Sequence, residues 1–233
     1  MKMRHVLFFF GILYSTATLM AQEVVNQSDT NGARHGVWKK YYSGTKQLRY
    51  EGEFDHGKEI GTFKFYCEKC GKTPNVVKNF QPNSSLSEVK YLTSKGDVVS
   101  QGMMDGKLRT GEWLYFHKKS NKVMTREFYK NGVLDGKKTI YYPSGKITEE
   151  IHYVDGMKEG KNVYYTEKGI LLKELQYAND KLHGPSVYYD GNGAKTIEGS
   201  YKQGRKNGLW VYYQNGKIAL EETYPKPLKK IED

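Results

Sequence analysis

The feature that most constrains this chain is an internal repeat with a period of 24 or 25 residues. A glycine opens each copy, and the spacings between successive glycines are 25, 50, 25, 24, 24 and 24 residues: Gly36, Gly61, Gly111, Gly136, Gly160, Gly184 and Gly208. The gap of 50 holds two periods, so a degenerate copy without its glycine is expected near residue 86. Repeats of this length are typical of stacked architectures in which each copy contacts only its neighbours.

Two rows of aromatic residues recur in step with these glycines. The first row stands five residues after each opening position: Tyr41, Tyr66, Tyr91, Phe116, Tyr141, Tyr165, Tyr189 and Tyr213. The second row departs from an aromatic residue only at Met104, and its aromatic members are Phe54, Phe80, Tyr129, Tyr153, Tyr177, Tyr201 and Tyr224. Because stacked rings shield one another from water, both rows are predicted to be the core ladders of the stack.

Each copy has the pattern of a β-hairpin. Apolar and aromatic residues alternate, a glycine such as Gly216 follows at a tight turn, and a second alternating run completes the unit. A single hairpin is marginally stable, so the copies are expected to stack side by side. Residues 31–225 are therefore predicted to be all-β, an elongated single-sheet antiparallel meander of about eight hairpins. About sixteen strands at about 4.8 Å spacing would make a twisted and curved body roughly 75 Å long.

The repeat resembles a known family. Residues 50–61, YEGEFDHGKEIG, follow the MORN motif Y-x-G-x-x-x-x-G-x-x-x-G, and residues 197–210, IEGSYKQGRKNGLW, are similar. Other copies, such as NGVLDGKKTIYYPSGK, look like the variant MORN repeat of bacterial proteins, which is commonly grouped under the YwqK-type antitoxin family. The resemblance covers residues 31–225 and implies hairpin repeats. It also implies a toxin-neutralising role, or phospholipid binding or protein assembly, as in other MORN proteins.

The N-terminus has the layout of a secretory signal peptide. The basic residues MKMRH precede the 15-residue apolar stretch VLFFFGILYSTATLM, and Ala21 stands before the polar Gln22. An N-terminal membrane anchor is the alternative, but a span needs about 20 apolar residues. We therefore expect residues 1–21 to be a cleaved signal, residues 22–30 a short linker and residues 226–233 a tail. The protein is predicted to be exported, whether periplasmic, outer-membrane associated or secreted.

The chain is basic, with 37 Lys and Arg against 26 Asp and Glu and a net charge of +11. Loss of residues 1–21 removes Lys2 and Arg4, which leaves 35 against 26, or +9. A basic surface favours acidic partners such as anionic lipid headgroups. The lysines are spread along the chain, however, so a solvated surface is the favoured interpretation and nucleic acid is not expected as a partner.

The region 67–106 is the irregular part of the array. It begins with the insertion-like CEKCGKTPNVVKNF, lacks a glycine at position 86, and has Glu88 where other units have a tryptophan. Cys67 and Cys70, the only cysteines, favour a local disulfide in an oxidising compartment. Half of a zinc site and a redox motif are the alternatives, but no second ligand pair and no βαβ pattern accompany them.

No enzymatic signature accompanies the repeat. The histidines at positions 35, 56, 117, 152 and 183 fall at different places in the unit and are interpreted as surface or turn residues. A recurrent glutamate row is interpreted as solvated or in cross-strand pairs rather than as catalytic carboxylates: Glu51, Glu150, Glu174, Glu198 and Glu221. We therefore expect no catalytic residue, no cofactor and no metal site.

One set of residues suggests a binding surface. In a strand, the residue before each member of the first row points to the opposite face. If the first row is core, an exposed candidate binding strip follows: Phe65, Tyr115, Tyr164, Tyr188, Trp210 and Tyr212. The alternative is that curvature or a dimer partner covers both faces. The predicted function is an exported non-enzymatic scaffold that binds another protein, with an antitoxin or a phospholipid-binding module as alternatives.

Overall fold

The structure, a computed structural model, describes residues 24–226. They form one sheet of 20 strands with antiparallel pairing throughout. The strands of the first half are β1 (Gln27–Ser28), β2 (Arg34–Tyr41), β3 (Leu48–Asp55), β4 (Lys58–Phe65), β5 (Val76–Phe80), β6 (Leu86–Leu92), β7 (Val98–Asp105), β8 (Leu108–Phe116), β9 (Val123–Lys130) and β10 (Val133–Leu134). Those of the second half are β11 (Gly136–Tyr141), β12 (Ile147–Val154), β13 (Met157–Lys158), β14 (Gly160–Tyr165), β15 (Leu171–Ala178), β16 (Lys181–Leu182), β17 (Gly184–Tyr189), β18 (Lys195–Lys202), β19 (Arg205–Gln214) and β20 (Lys217–Tyr224).

The strands follow one another as a meander. The short strands β10, β13 and β16 each continue after one residue into the next strand, and both pieces pair with the same neighbour. Each such pair therefore fills one position of the sheet. Eight hairpins result: β2–β3, β4–β5, β6–β7, β8–β9, β11–β12, β14–β15, β17–β18 and β19–β20. The predicted all-β meander of about eight hairpins is confirmed.

Two structural features recur from unit to unit, a tight turn and a hydrogen bond to the neighbouring unit. At the β3–β4 turn, His56 and Gly57 both have positive φ, 45° and 84°. A two-residue hairpin turn whose twist matches that of the flanking strands requires this conformation. Hydrogen bonds also join equivalent places of neighbouring units. The Tyr42 hydroxyl donates to the Tyr66 carbonyl at 2.7 Å, and the Tyr142 hydroxyl donates to the Tyr165 carbonyl at 3.0 Å. These bonds tie each of the two units to the unit beside it.

The third unit is shifted by one residue from the sequence-based expectation. Ser87, rather than residue 86, pairs with Phe80 and Met104, as the opening glycines pair elsewhere. The reason is the long β4–β5 connection, which adds a residue to the second unit. Val89 therefore takes the place predicted for Glu88.

The ends of the array differ in part from the predicted boundaries. The predicted linker 22–30 contains β1, which pairs with β2, and the Trp38 indole donates to the Gln27 carbonyl at 2.8 Å. Gln27 and Ser28 therefore already belong to the sheet. The predicted signal peptide 1–21 and residues 227–233 of the predicted tail lie outside the described residues. Within 24–226, no helix is long and apolar enough to cross a membrane.

Candidate functional site

The two faces of the sheet have different chemistry, and the face with the aromatic residues is the candidate functional site. We call it the aromatic face. Three rows of side chains cross it from strand to strand, because directly paired residues point to the same side. The outer row consists of the residues opposite the opening glycines and is the second aromatic row of the sequence: Phe54, Phe80, Tyr129, Tyr153, Tyr177, Tyr201 and Tyr224.

The middle row of this face, the central row, is the buried core of the protein. Its buried members are at most 7% exposed: Phe63, Val89, Trp113, Glu127, Ile151, Asn162, Leu175, Ser186 and Trp210. Rings from the flanking rows cover it. Trp210 makes edge-to-face contacts with Tyr201 and Tyr224, with ring centroids 4.9 and 6.5 Å apart. Such contacts bury an indole on a sheet without a second layer.

Glycines of the repeat motif make room for the largest rings. A Cβ atom on Gly52 would lie 2.5 Å from the ring of Phe63, and one on Gly102 would lie 2.5 Å from the ring of Trp113. These glycines therefore act through close approach of a ring to the backbone. The first glycine of the motif, Gly52 in residues 50–61, was the available sequence signal for the central row, which was not predicted.

The third row, the strip row, contains five of the six residues predicted as a binding strip. Tyr164, Lys173, Tyr188, Ile197 and Tyr212 are paired in succession across five neighbouring strands. Phe65 and Tyr115 belong to the same row farther along the sheet, and all five predicted aromatic members are half-buried.

Two expectations about these rows are wrong. Trp210 belongs to the central row and is 1% exposed, so it is not part of an exposed strip. Tyr91 lies in the strip row, 6.1 Å from Trp113, because of the one-residue shift of its unit. The two predicted core ladders do not share a face. The second lies on the aromatic face, while Tyr66 and Tyr213 of the first donate hydrogen bonds to Glu51 and Glu198 on the other.

The remaining members of the first row vary in exposure. Tyr66 is 8% exposed, whereas Tyr41 is 48% exposed. The others are half-buried: Phe116, Tyr141, Tyr165, Tyr189 and Tyr213. The alternation of side chains along a strand explains why the two rows lie on opposite faces. A first-row residue stands five positions, an odd number, after an opening glycine, and that glycine faces a second-row ring.

Cations stand over the rings of the aromatic face. The Lys173 ammonium lies 3.8 Å from the ring centroid of Tyr164, and that of Lys206 lies 4.3 Å from Trp210. The Arg109 guanidinium lies 4.5 Å from Trp113. It also donates to the hydroxyls of Tyr115 at 2.7 Å and Tyr129 at 3.1 Å. Cation–π contact holds these positive charges at the surface of the face.

The central row carries two polar atoms without an internal partner. Asn162 and Ser186 are each 1% exposed. Neither Asn162 Oδ1 nor Ser186 Oγ has a hydrogen-bond partner among the described residues. The Asn162 amide donates to the Tyr164 hydroxyl at 3.2 Å. Burial and a hydrogen bond to Glu149 raise the pKa of Tyr164, so its phenol stays protonated at neutral pH. Burial and the Tyr201 hydroxyl raise the pKa of Tyr188 in the same way.

The opposite face, which we call the glutamate face, is an ion-pair surface. Glu51, Glu150, Glu174 and Glu198 pair with lysines, including Lys161 with Glu174 at 2.5 Å and Lys195 with Glu198 at 2.7 Å. These contacts join neighbouring strands and turns. These four glutamates are thus partners of lysines, as the interpretation of cross-strand pairs expects.

The cysteine pair lies in the loop between β4 and β5. Cys67 and Cys70 are joined in a disulfide, with Cα atoms 5.4 Å apart. The bond closes a short loop at the edge of the second unit.

Together, the stacked hairpins and the single ring-covered face define a repeat protein of the open-sheet solenoid class. A family model described as a MORN repeat variant matches residues 134–155 and 206–224. The chain therefore carries repeats of the MORN type.

The other comparisons add little. No curated protein sequence matches the chain. A chain of a solved structure described as "Crystal structure of GtfA/B complex" is 17% identical, with 40% of this chain and 18% of that chain covered and a TM-score of 0.29. The chain thus spans less than a fifth of that protein's length.

Proposed function

We propose that this protein is an exported, non-enzymatic repeat scaffold that binds another protein through the aromatic face. The observation that carries the proposal is the strip row, whose half-buried tyrosines lie on a face that no second layer covers within residues 24–226. Tyrosine, tryptophan and arginine are enriched where proteins bind one another.

The polar groups of the face favour a polypeptide as the ligand. The cations over Tyr164, Trp210 and Trp113 would meet carboxylates of a partner. A protein surface supplies carboxylates together with apolar groups, which matches this combination of cations and rings.

The distribution of charge supports a protein partner over an anionic lipid surface. Lysines on the glutamate face stand next to carboxylates at 2.5 to 3.6 Å, as in the pairs Lys161–Glu174 and Lys64–Glu51. These pairs neutralise the positive charge of their lysines locally, whereas a membrane surface attracts clusters of unpaired lysines.

Export is supported by two features. The N-terminus follows the signal-peptide pattern, and Cys67 is bonded to Cys70, as is usual in oxidising compartments. A toxin-neutralising protein of the YwqK type is the alternative function, and it would use the same face on a different class of partner.

Pairs of adjacent tyrosines allow a sharp test. Tyr188 and Tyr212 lie on the aromatic face, whereas the next residues, Tyr189 and Tyr213, belong to the first row. The double variant Tyr188→Ser/Tyr212→Ser should lose capture of the protein that co-purifies with wild type from the cell envelope. The matched double variant Tyr189→Ser/Tyr213→Ser should keep that capture.

The readout is mass-spectrometric identification of the captured protein, with thermal unfolding of all three proteins measured alongside. Equal capture by both double variants would remove the aromatic face from the proposal. Recovery of a secreted toxin as the captured protein would favour the antitoxin alternative, and retention on anionic vesicles at physiological salt would favour the lipid alternative.

A further inference from the structure

Two histidines that are 21 residues apart in sequence meet at the start of the array. Gly36 pairs with Phe54, so His35 at the start of β2 faces Asp55 at the end of β3. His56 follows in the turn, and the centroids of the two imidazole rings are 4.9 Å apart. The scattered positions of the histidines in the repeat did not predict this meeting, because sequence spacing does not fix which strand start meets which turn.

The donor atoms of this cluster have the spacing of metal ligands. His35 Nδ1 lies 3.6 Å from Asp55 Oδ1, and His56 Nε2 lies 3.8 Å from the same oxygen. One ligand atom from each of the three residues lies within 4.8 Å of the others. In a tetrahedral zinc site with bonds of about 2.1 Å, ligand atoms stand about 3.4 Å apart. The two carboxylate–imidazole distances are already within a few tenths of an ångström of this spacing, and the two imidazole nitrogens, which lie within 4.8 Å of each other, would have to approach by at most about 1.4 Å, a movement open to exposed side chains.

A fourth residue holds one of the imidazoles in place. The Asp29 side chain is 7% exposed, and its Oδ1 accepts hydrogen bonds from the backbone N–H groups of Asn31 and Ala33, each at 2.9 Å. Its Oδ2 lies 2.6 Å from His56 Nδ1. A carboxylate on one imidazole nitrogen fixes the tautomer and leaves the other nitrogen as the metal ligand. His56 Nε2, the nitrogen near Asp55, is that ligand atom.

The cluster is also a departure from the repeat. Asn131, Asp155 and Gln203 occupy the turn position of His56 in other units. Only His183 repeats the histidine before an opening glycine, and Gln203 stands at the turn position beside it. The combination of His35, Asp55 and His56 therefore occurs in the first unit alone and is not required by the hairpin.

We propose that His35, Asp55 and His56 bind a divalent transition-metal ion, zinc by preference, and that Asp29 is a positioning residue for His56. Two imidazoles and one carboxylate are the ligand set of open zinc sites, in which the fourth position takes water or a group from a partner. The three side chains are 48%, 57% and 68% exposed, so an ion reaches them directly from solvent.

The test is titration of the purified untagged protein with Zn²⁺ by calorimetry. Co²⁺ serves as a second probe, because tetrahedral coordination gives it visible absorption bands. We expect one ion per chain in wild type and at least a 100-fold loss of Zn²⁺ affinity in His35→Asn and in His56→Asn. His152→Asn, a change at another exposed histidine, is the matched control and should bind like wild type.

Asp29→Asn should weaken Zn²⁺ binding by about 10- to 100-fold without abolishing it, as loss of an outer carboxylate does. The change also perturbs the 29–33 turn, so Asp29→Glu is the companion variant, and partial recovery of affinity is expected there. Thermal unfolding without metal should be nearly the same for the exposed-histidine variants and wild type.

Two results would overturn the proposal. One is equal Zn²⁺ affinity in wild type, His35→Asn and His56→Asn. The other is Zn²⁺ binding that disappears in Cys67→Ser/Cys70→Ser and persists in the histidine variants, since that would assign the ion to the cysteine loop.

Discussion

Gly199 lies directly beneath the indole of Trp210, so close that a Cβ atom on this glycine would be 2.3 Å from Trp210 Cδ2. Trp210 is 1% exposed and is enclosed by Tyr201 and Tyr224. The indole therefore cannot move away from a Cβ atom at position 199 without displacing these rings. In this unit, the buried position of the Trp210 ring therefore depends on a glycine at position 199.

Gly199→Ala should destabilise the protein by about 1–3 kcal/mol, the usual cost of overpacking a filled core. Gly191→Ala is the matched control, because a Cβ atom there would meet nothing within 4 Å and the residue does not have positive φ. Urea unfolding followed by tryptophan fluorescence measures both. An equal free energy of unfolding for the two variants would contradict the close-approach role of Gly199.

Glu127 is a buried carboxylate in the central row, bonded to Lys138 at 2.8 Å and to the Tyr129 hydroxyl at 2.7 Å. Removing one member of a buried ion pair leaves the other without compensation, so Glu127→Ala should cost about 3 kcal/mol. The double variant Glu127→Leu/Lys138→Met should cost less, because Leu175 fills the equivalent place in another unit. Urea unfolding of both variants tests this order, and the reverse order would refute it.

The same pair predicts a pH dependence. Burial tends to raise the pKa of Glu127, but the hydrogen bonds from Lys138 and Tyr129 outweigh it and the net pKa is lowered. A lowered pKa means that the carboxylate stabilises the fold above the unfolded-state pKa and that this stability is lost as the pH falls through the folded-state pKa. The stability gap between wild type and Glu127→Gln should therefore shrink between pH 7 and pH 3. A constant gap in urea unfolding would contradict the assignment.

At the last strand, hydrogen bonds from Lys226 and Tyr224 lower the pKa of Glu222 to about 2. The contribution of this carboxylate should be present above about pH 4.5 and disappear as the pH falls towards 2, with fraying of β20. Hydrogen exchange of the Trp210 indole N–H, which donates to the Ser200 carbonyl at 3.1 Å, reports on this end of the sheet. In Glu222→Gln, the Trp210 indole N–H should exchange faster than in wild type at neutral pH. Its protection should also change less than that of wild type when the pH is lowered.

The Cys67–Cys70 disulfide closes a loop of only four residues, so its effect on the unfolded chain is small. Loop-closure entropy for so short a loop corresponds to about 2 kcal/mol. Cys67→Ser/Cys70→Ser should therefore remain folded and lose at most about that much stability, and wild type with a thiol reductant should behave alike. Global unfolding of either protein at room temperature would show that the bond supports more than its own loop.

The fold was predictable because the period is carried by residues with local consequences. Opening glycines such as Gly160 and turn glycines such as Gly216 adopt positive φ, 78° and 73°, and so mark the hairpins directly. The alternation between them predicts strands, and the regular spacing predicts the meander.

The faces were not predictable to the same degree, because a slip of one residue in register moves every side chain to the other side. Tyr188 and Tyr189 are adjacent in sequence, and the pairing of Tyr188 with Lys173 places it in the strip row. Tyr91 changes rows because one extra residue precedes its strand. His35 and His56 meet only through the pairing of Gly36 with Phe54, which no local pattern reveals.

The hydrogen bonds from Tyr42 to the Tyr66 carbonyl and from Tyr142 to the Tyr165 carbonyl both span about one period of the chain. Because such links reach only to the adjacent copy, duplication or loss of a whole copy leaves every remaining link with its usual partner. Duplication of a repeat in the gene would then lengthen the protein in steps of two strands, or about 10 Å.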